Sequence, residues 1–295
     1  MKIRKSKRMA MLVLLLLLSV IWLILAPFVL KLRTEDADAQ KSFAKKGVLL
    51  STHFYEVDGY RMHYVQTGND TLPTLLFVHG SPGSWEAFSR YMQDKDLLEK
   101  FRMVSIDRPG FGFSSFGKAR DLAEQSRLLT PLLRQLNNGK LLYAVGHSMG
   151  GPLTVKLEID NPGRLAGLVL LAASVSPYLE EPEKWRRLIL STPLNYWLPG
   201  ALRPANEELW YLKSDLKKME PDLGKITSAV WIVHGDKDAL VPVGNVTFMQ
   251  SNFIHAQKMT VIILPGASHF IPWQHYTEVK TLLLSLPVAG KYAIR

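Results

Sequence analysis

Six short runs rich in Val, Ile and Leu, at 74–78, 103–106, 141–145, 168–172, 230–233 and 260–264, recur along the chain with amphipathic stretches between them. Runs so short and so uniformly apolar read as strands buried on both faces, since a strand with one wet face would alternate polar and apolar residues. The stretches at 84–99, 119–137, 151–160, 242–256 and 273–286 carry apolar residues at helical spacing. Strands alternating with helices predict an α/β fold, a mostly parallel sheet covered by helices on both faces. Ahead of them, residues 53–57 and 61–65 flank Asp58-Gly59-Tyr60. An Asp-Gly pair between two such runs predicts a hairpin.

One interval breaks the alternation. Between Pro177 and Pro221 lie six prolines, three tryptophans (Trp185, Trp197, Trp210) and three tyrosines (Tyr178, Tyr196, Tyr211), with no convincing strand. This composition predicts a small helical cap inserted after the 168–172 strand, an apolar roof over the sheet's C-terminal edge. The expected organisation is therefore a basic N-terminus and transmembrane anchor (1–33), a polar linker (34–50), a core in two parts (51–176 and 222–295) and the cap (177–221).

The anchor is read from Lys2, Arg4, Lys5, Lys7 and Arg8, followed by 22 uncharged, mostly apolar residues at 9–30. As a helix this run is about 33 Å long, enough to cross a bilayer. It exceeds the apolar core of a secretory signal, and Ala37-Asp38-Ala39, which resembles a cleavage site, lies well beyond it, so an uncleaved anchor is expected. The basic flank predicts a cytoplasmic amino terminus, with the folded body on the outer side of the membrane. Residues 1–33 hold 7 of the 36 basic residues and none of the 26 acidic ones, so the rest of the chain is close to neutral despite a net charge of +10. No basic stripe interleaved with aromatics remains, and nucleic acid is not an expected partner. With no cysteine there is no disulfide, no thiolate nucleophile and no lipidated Cys.

The chemistry concentrates at Gly146-His147-Ser148-Met149-Gly150-Gly151, directly after the 141–145 run. A serine hydroxyl attacks carbonyls only if it is presented, deprotonated and given a stabilised oxyanion. Glycines on both sides allow the sharp strand-to-helix turn that presents it. The string alone arises by chance in roughly one chain of this length in ten, so its companions decide. They are His79-Gly80-Ser81-Pro82-Gly83, Asp107-Arg108-Pro109-Gly110-Phe111-Gly112, His234-Gly235-Asp236-Lys237-Asp238 with Val241-Pro242, and Gly266-Ala267-Ser268-His269-Phe270.

With these motifs in this order, the chain from about 51 to 290 resembles the alpha/beta-hydrolase fold enzymes. The resemblance implies Ser148 as nucleophile and selects His269 among the eight histidines as general base. Two carboxylates follow the 230–233 run; the resemblance assigns Asp238 to orient His269, leaving Asp236 to order the turn. Oxyanion donors are the backbone N–H of Met149 and, by resemblance, that of Ser81, since Pro82 has none. Helices starting near Ser84 and Met149 would point positive dipole ends at the same region. Arg108 could anchor a substrate, but its segment reads as a structural turn and it stays outside the catalytic set.

The implied activity is that of a membrane-anchored serine hydrolase cleaving carboxylic esters or amides through an acyl-enzyme, with the hydroxyl of Ser148 within a hydrogen bond of the His269 ring. The substrate would be a small-molecule ester, and an aromatic cap beside a bilayer suits apolar, lipid-derived acyl groups. Acyltransferases, carbon–carbon bond hydrolases and proline iminopeptidases share such a triad, although the last commonly carry Gly where Ser81 stands. Serine rather than aspartate at the elbow argues against epoxide hydrolase or haloalkane dehalogenase chemistry. From another class, a non-catalytic binding or receptor role on the same fold is opposed by the intact triad. No metal or organic cofactor is implied, for the chain has no His-Glu-x-x-His and no Gly-x-Gly-x-x-Gly opening a helix after a strand.

Overall fold

A computed structural model describes residues 2–117, 120–181 and 183–289. Pro182 of the expected cap and the last six residues of the expected core lie outside the described residues. Eight strands form one sheet: β1 (Ser51–Val57), β2 (Tyr60–Thr67), β3 (Thr74–Val78), β4 (Arg102–Ile106), β5 (Leu142–His147), β6 (Gly167–Leu171), β7 (Ala229–Gly235) and β8 (Lys258–Leu264). Their spatial order is β1-β2-β4-β3-β5-β6-β7-β8. The hairpin pairs β1 with β2 antiparallel, and β2 with β4 likewise, while every pair from β4 to β8 is parallel. Asp58 and Gly59 turn the hairpin with positive φ of 49° and 78°, the conformation that suits an Asp-Gly pair.

Helices α1 (Lys2–Leu25) and α2 (Asp36–Ala44) precede the sheet. After β3 come α3 (Ser89–Met92) and α4 (Lys95–Lys100), after β4 comes α5 (Leu122–Gln135) and after β5 comes α6 (Gly150–Asp160). Between β6 and β7 lie α7 (Lys184–Leu190) and α8 (Leu202–Met219); α9 (Gly244–Asn252) follows β7, and α10 (Ile271–Gln274) with α11 (Tyr276–Leu284) follows β8. One face of the sheet buries Leu128, Leu132, Leu153 and Leu157 from α5 and α6, and the other buries Trp85, Phe88, Phe101, Val279 and Leu283. Strands β3 to β6 are buried at every position, which is why apolar residues dominate them, whereas the 260–264 run, read as buried on both faces, lies in the edge strand β8 and stays largely part-exposed. From β3 the chain crosses to β4 on one side, then returns to β5 on the other. That reversal opens a crevice at the C-terminal ends of β3 and β5, where ligands bind in open α/β sheets.

Several stretches differ from the sequence reading, among them 273–286, which is parted at His275 into α10 and α11. The single helix expected over 84–99 is broken into a 3-10 turn (Trp85–Phe88), α3 and α4. Asp94 restarts it, its carboxylate accepting the Leu97 N–H at 3.1 Å. No long helix therefore aims its dipole from Ser84. The segment read as a polar linker contains α2, because Ala39 and Phe43 bury against the core and Phe43 packs 6.0 Å from Trp85.

Helix α1 carries an apolar stretch, Met9–Phe28, that could cross a bilayer or serve as a signal sequence by length and composition. Its end is tied to the helices between β6 and β7. The Trp22 ring N–H donates to the Trp197 carbonyl (3.0 Å), the Gly200 N–H to Ala26 (2.8 Å) and the Ala201 N–H to Leu30 (3.0 Å). Gly200 has φ of 43°, and a Cβ there would overlap the Val29 carbonyl oxygen.

Candidate active site

Ser148 stands immediately beyond β5 with φ of 52°, a left-handed conformation that costs a non-glycine residue about 1–2 kcal/mol. Its own N–H, donating to the Leu171 carbonyl at 3.0 Å, holds the turn against β6. The flanking glycines are there for space. A Cβ on Gly146 would overlap the Gly150 carbonyl, one on Gly150 the Val78 carbonyl, and one on Gly151 the side chain of Ala173. The turn thus lets α6 start against the ends of β3 and β5, with the hydroxyl left facing outward.

The loop after β7 carries Asp238, whose Oδ1 accepts the N–H groups of Leu240 (2.9 Å) and Val241 (2.8 Å). Its Oδ2 meets Nδ1 of His269 at 2.8 Å. Burial pushes the Asp238 carboxyl up, but the hydrogen bond to His269 and the two backbone N–H groups outweigh it and hold the group below its ordinary value. The carboxylate is thereby ionised and aimed, and it fixes the proton of the imidazole on Nδ1, leaving Nε2 free. Asp236 is turned away and accepts the Gly266 N–H at 2.6 Å, tying the β7 loop to the β8 loop.

His269 sits in the loop after β8 and is 6% exposed. His147 braces it from below: the Nε2–H of His147 donates to the His269 carbonyl at 3.0 Å, and the two rings are 4.9 Å apart. Burial and the nearby His269 push His147 down to a pKa of about 3, so it is a neutral strut. Ser148, His269 and Ser81 line one cavity of about 1120 Å³. Among the described residues no hydrogen bond joins the Ser148 hydroxyl to His269, so the closest contact expected from sequence is not made in this conformation. Such contacts are commonly loose before substrate binds.

Among the described residues the N–H groups of Ser81 and Met149 find no acceptor, and both residues line the same cavity. Gly80 keeps the loop close to the serine, for a Cβ there would come within 3.1 Å of the Ser148 Cβ. The cavity walls divide. Trp185, Leu198, Leu202 and Leu209 from the segment between β6 and β7 form an apolar roof, whereas Ser174, Glu180, Arg186 and Asn206 make a polar flank. Ser174 donates to Glu180 at 2.8 Å, and burial raises the Glu180 carboxyl above its ordinary value.

With the sheet order, the turn at Ser148 and the cavity described, comparison with known proteins is direct. The family profile described as alpha/beta hydrolase fold matches residues 73–197. The chain has the alpha/beta hydrolase fold. It is 33% identical over 121 residues to Epoxide hydrolase 1 of Caenorhabditis elegans, a match spanning 40% of this chain and only 29% of that protein. To the pimeloyl-[acyl-carrier protein] methyl ester esterase of Nitrosomonas europaea it is 24% identical over 249 residues, 70% of this chain and 92% of that enzyme. Among solved structures with the alpha/beta hydrolase fold, a bacterial membrane phospholipase A superposes with a TM-score of 0.59 at 22% identity, covering 95% of this chain and 100% of that one.

Sequence reasoning passed over two features of this site. Leu32, just past the apolar N-terminal stretch, lines the cavity. Arg108, read as part of a turn, is fully buried and makes a two-pronged ion pair with Glu208 of α8, both contacts at 2.8 Å. Nothing in the sequence links residues 100 positions apart; the only signal was an arginine among glycines after a buried strand.

Proposed function

We propose that the protein is a membrane-anchored serine hydrolase that cleaves carboxylic esters of apolar, lipid-derived acyl groups through an acyl-enzyme. The observation that carries this reading is the 2.8 Å contact of Asp238 with His269 on the rim of the cavity that Ser148 enters from its left-handed turn. In the proposed reaction His269 takes the Ser148 proton as the oxygen attacks the ester carbonyl. The N–H groups of Ser81 and Met149 hold the resulting oxyanion. Collapse expels the alcohol, which takes its proton from His269, and water then attacks the acyl-serine with His269 again as base.

The epoxide hydrolase relative raises a competing reading, and the residue at the elbow argues against it. A carboxylate that opens an epoxide leaves an ester, which water can cleave; a serine would leave an ether, which has no carbonyl to attack. Serine suits esters. The methyl ester esterase relative is in keeping with this, as is the membrane phospholipase A among the structural neighbours.

The membrane part of the proposal rests on α1 and its attachments. Five basic residues before the apolar stretch favour a cytoplasmic amino terminus and an outward-facing catalytic body. Bonds from the end of α1 to the helices between β6 and β7 bring that cap to the bilayer surface, and Leu32 carries the connection into the cavity wall. The test is direct. Ser148→Ala should abolish turnover of p-nitrophenyl butyrate and labelling by a fluorophosphonate probe while leaving the circular dichroism spectrum unchanged. Turnover by Ser148→Ala at the parental rate would refute the serine mechanism, and a parental protein that resists the probe would favour a binding role.

A further inference from the structure

The peptide linking Gly80 to Ser81 presents two groups in opposite directions. A trans peptide sets its C=O and N–H antiparallel, so whatever fixes the Gly80 carbonyl also aims the Ser81 N–H. Two donors hold that carbonyl: Nδ1–H of His79 at 2.7 Å and Nη2 of Arg108 at 3.0 Å. His79 is itself locked, for its Nε2 accepts the Arg108 backbone N–H at 3.1 Å. Burial first, then the Arg108 charge, holds its pKa well below the ordinary value. The guanidinium is closed on its far side by both oxygens of Glu208 and by Gln125 (3.0 Å). It cannot turn away without leaving a buried carboxylate unpaired.

We propose that Arg108 is a positioning residue for the oxyanion hole: through the Gly80 carbonyl it orients and polarises the Ser81 N–H, and through Glu208 it ties that orientation to the seating of α8. The inference rests on the proposed acyl-enzyme reaction, in which Ser81 is an oxyanion donor. Hydrogen bonds in series strengthen one another, so a carbonyl held by a cation makes the N–H of the same peptide a better donor. Because Glu208 stands on α8, a helix that also contributes Leu202 and Leu209 to the roof, movement of the roof reaches the oxyanion donor through a single side chain.

The experiment uses the full-length chain in detergent with p-nitrophenyl butyrate. Deleting an oxyanion donor outright costs about 10²–10³ in kcat. Arg108→Met leaves the donor present, with the Gly80 carbonyl held by His79 alone and no longer polarised by a cation, so kcat should fall about 10- to 100-fold with KM changed less than about threefold. A butyl trifluoromethyl ketone, whose adduct with Ser148 carries an oxyanion, should lose affinity by the same factor. The corresponding trifluoromethyl alcohol, which forms no oxyanion, should keep its affinity. Glu208→Gln, which retains shape but weakens the clamp, should give the same selectivity at smaller size. If Arg108→Met fails to fold, Arg108→Lys carries the test, because an ammonium cannot hold the Gly80 carbonyl and both Glu208 oxygens together. Parental kcat in the folded Arg108 variants, or equal weakening of ketone and alcohol, would overturn the proposal. Turnover by Ser148→Ala would instead sink the serine mechanism beneath it.

Discussion

His147 should make the fold acid-sensitive, and replacing it by Gln should remove about 2 kcal/mol of that sensitivity between pH 7 and pH 5. In the folded protein its pKa is about 3, chiefly because the ring is buried and secondly because His269 lies beside it. Unfolded, it returns to its ordinary value near 6.5. A depressed folded pKa means that the unfolded chain binds a proton the fold refuses, so stability falls as the pH drops from about 6.5 toward 3. The slope approaches about 1.4 kcal/mol per pH unit, and pH 5 lies about 1.5 units into that window, which gives the figure of about 2. The geometry explains the refusal. Nε2–H is already committed to the His269 carbonyl, and Nδ1 is buried without a partner, so an added proton would find no acceptor. Gln at this position keeps an N–H for the same carbonyl and cannot titrate. Urea unfolding of the full chain in detergent, followed by tryptophan fluorescence at both pH values, measures the difference. His234, which burial also holds low, is present in both proteins and cancels, and His79 stays low in both because burial and the Arg108 charge are its larger causes. Equal losses of stability in parent and variant would refute the argument.

Other consequences are as direct. Asp238→Asn should lower kcat for an ester by about 10⁴ while the protein melts near the parental temperature, because the imidazole loses its carboxylate partner but keeps its place. Gly150→Ala should destabilise by about 1–3 kcal/mol or more, measured by thermal melting, since a Cβ overlaps the Val78 carbonyl inside packed backbone. Gly200→Ala should loosen the end of α1 from the cap, seen as faster proteolytic nicking near residues 29–34, because the left-handed φ and the Val29 carbonyl both oppose a side chain. A chain lacking residues 1–33 should leave the membrane fraction for the soluble one on ultracentrifugation; retention in the membrane would refute the anchor.

Much of this architecture is legible in the chain because the physics behind it is local. Each of the six apolar runs overlaps a strand of the sheet; in β3 to β6 burial at every position keeps the pattern strong, and in the edge strand β8 the run is apolar although only part-buried. The turn at Ser148 is equally visible, as three glycines mark places where a methyl group would strike backbone or a neighbouring side chain. The choice between Asp236 and Asp238 as the partner of His269 is not written in composition or spacing; the family resemblance implies it, and Asp238 is the one in contact with His269.

Other features depend on who the neighbours are. Helix α2 exists because Phe43 meets Trp85, and the 84–99 stretch breaks because Asp94 caps a new start while the Trp85 N–H is claimed by Asp107 at 2.8 Å. The sequence by itself determined the alternating sheet, the apolar N-terminal helix and the side chains that gather around Ser148, all encoded in periodicity or in short motifs. Only the tertiary structure decided that Arg108 and Glu208 would close on each other beneath the Gly80–Ser81 loop, and that the end of α1 would dock beside the cavity. A buried ion pair draws its partners from any two points of the chain, and no periodicity records which carboxylate will arrive where a guanidinium has lost its water.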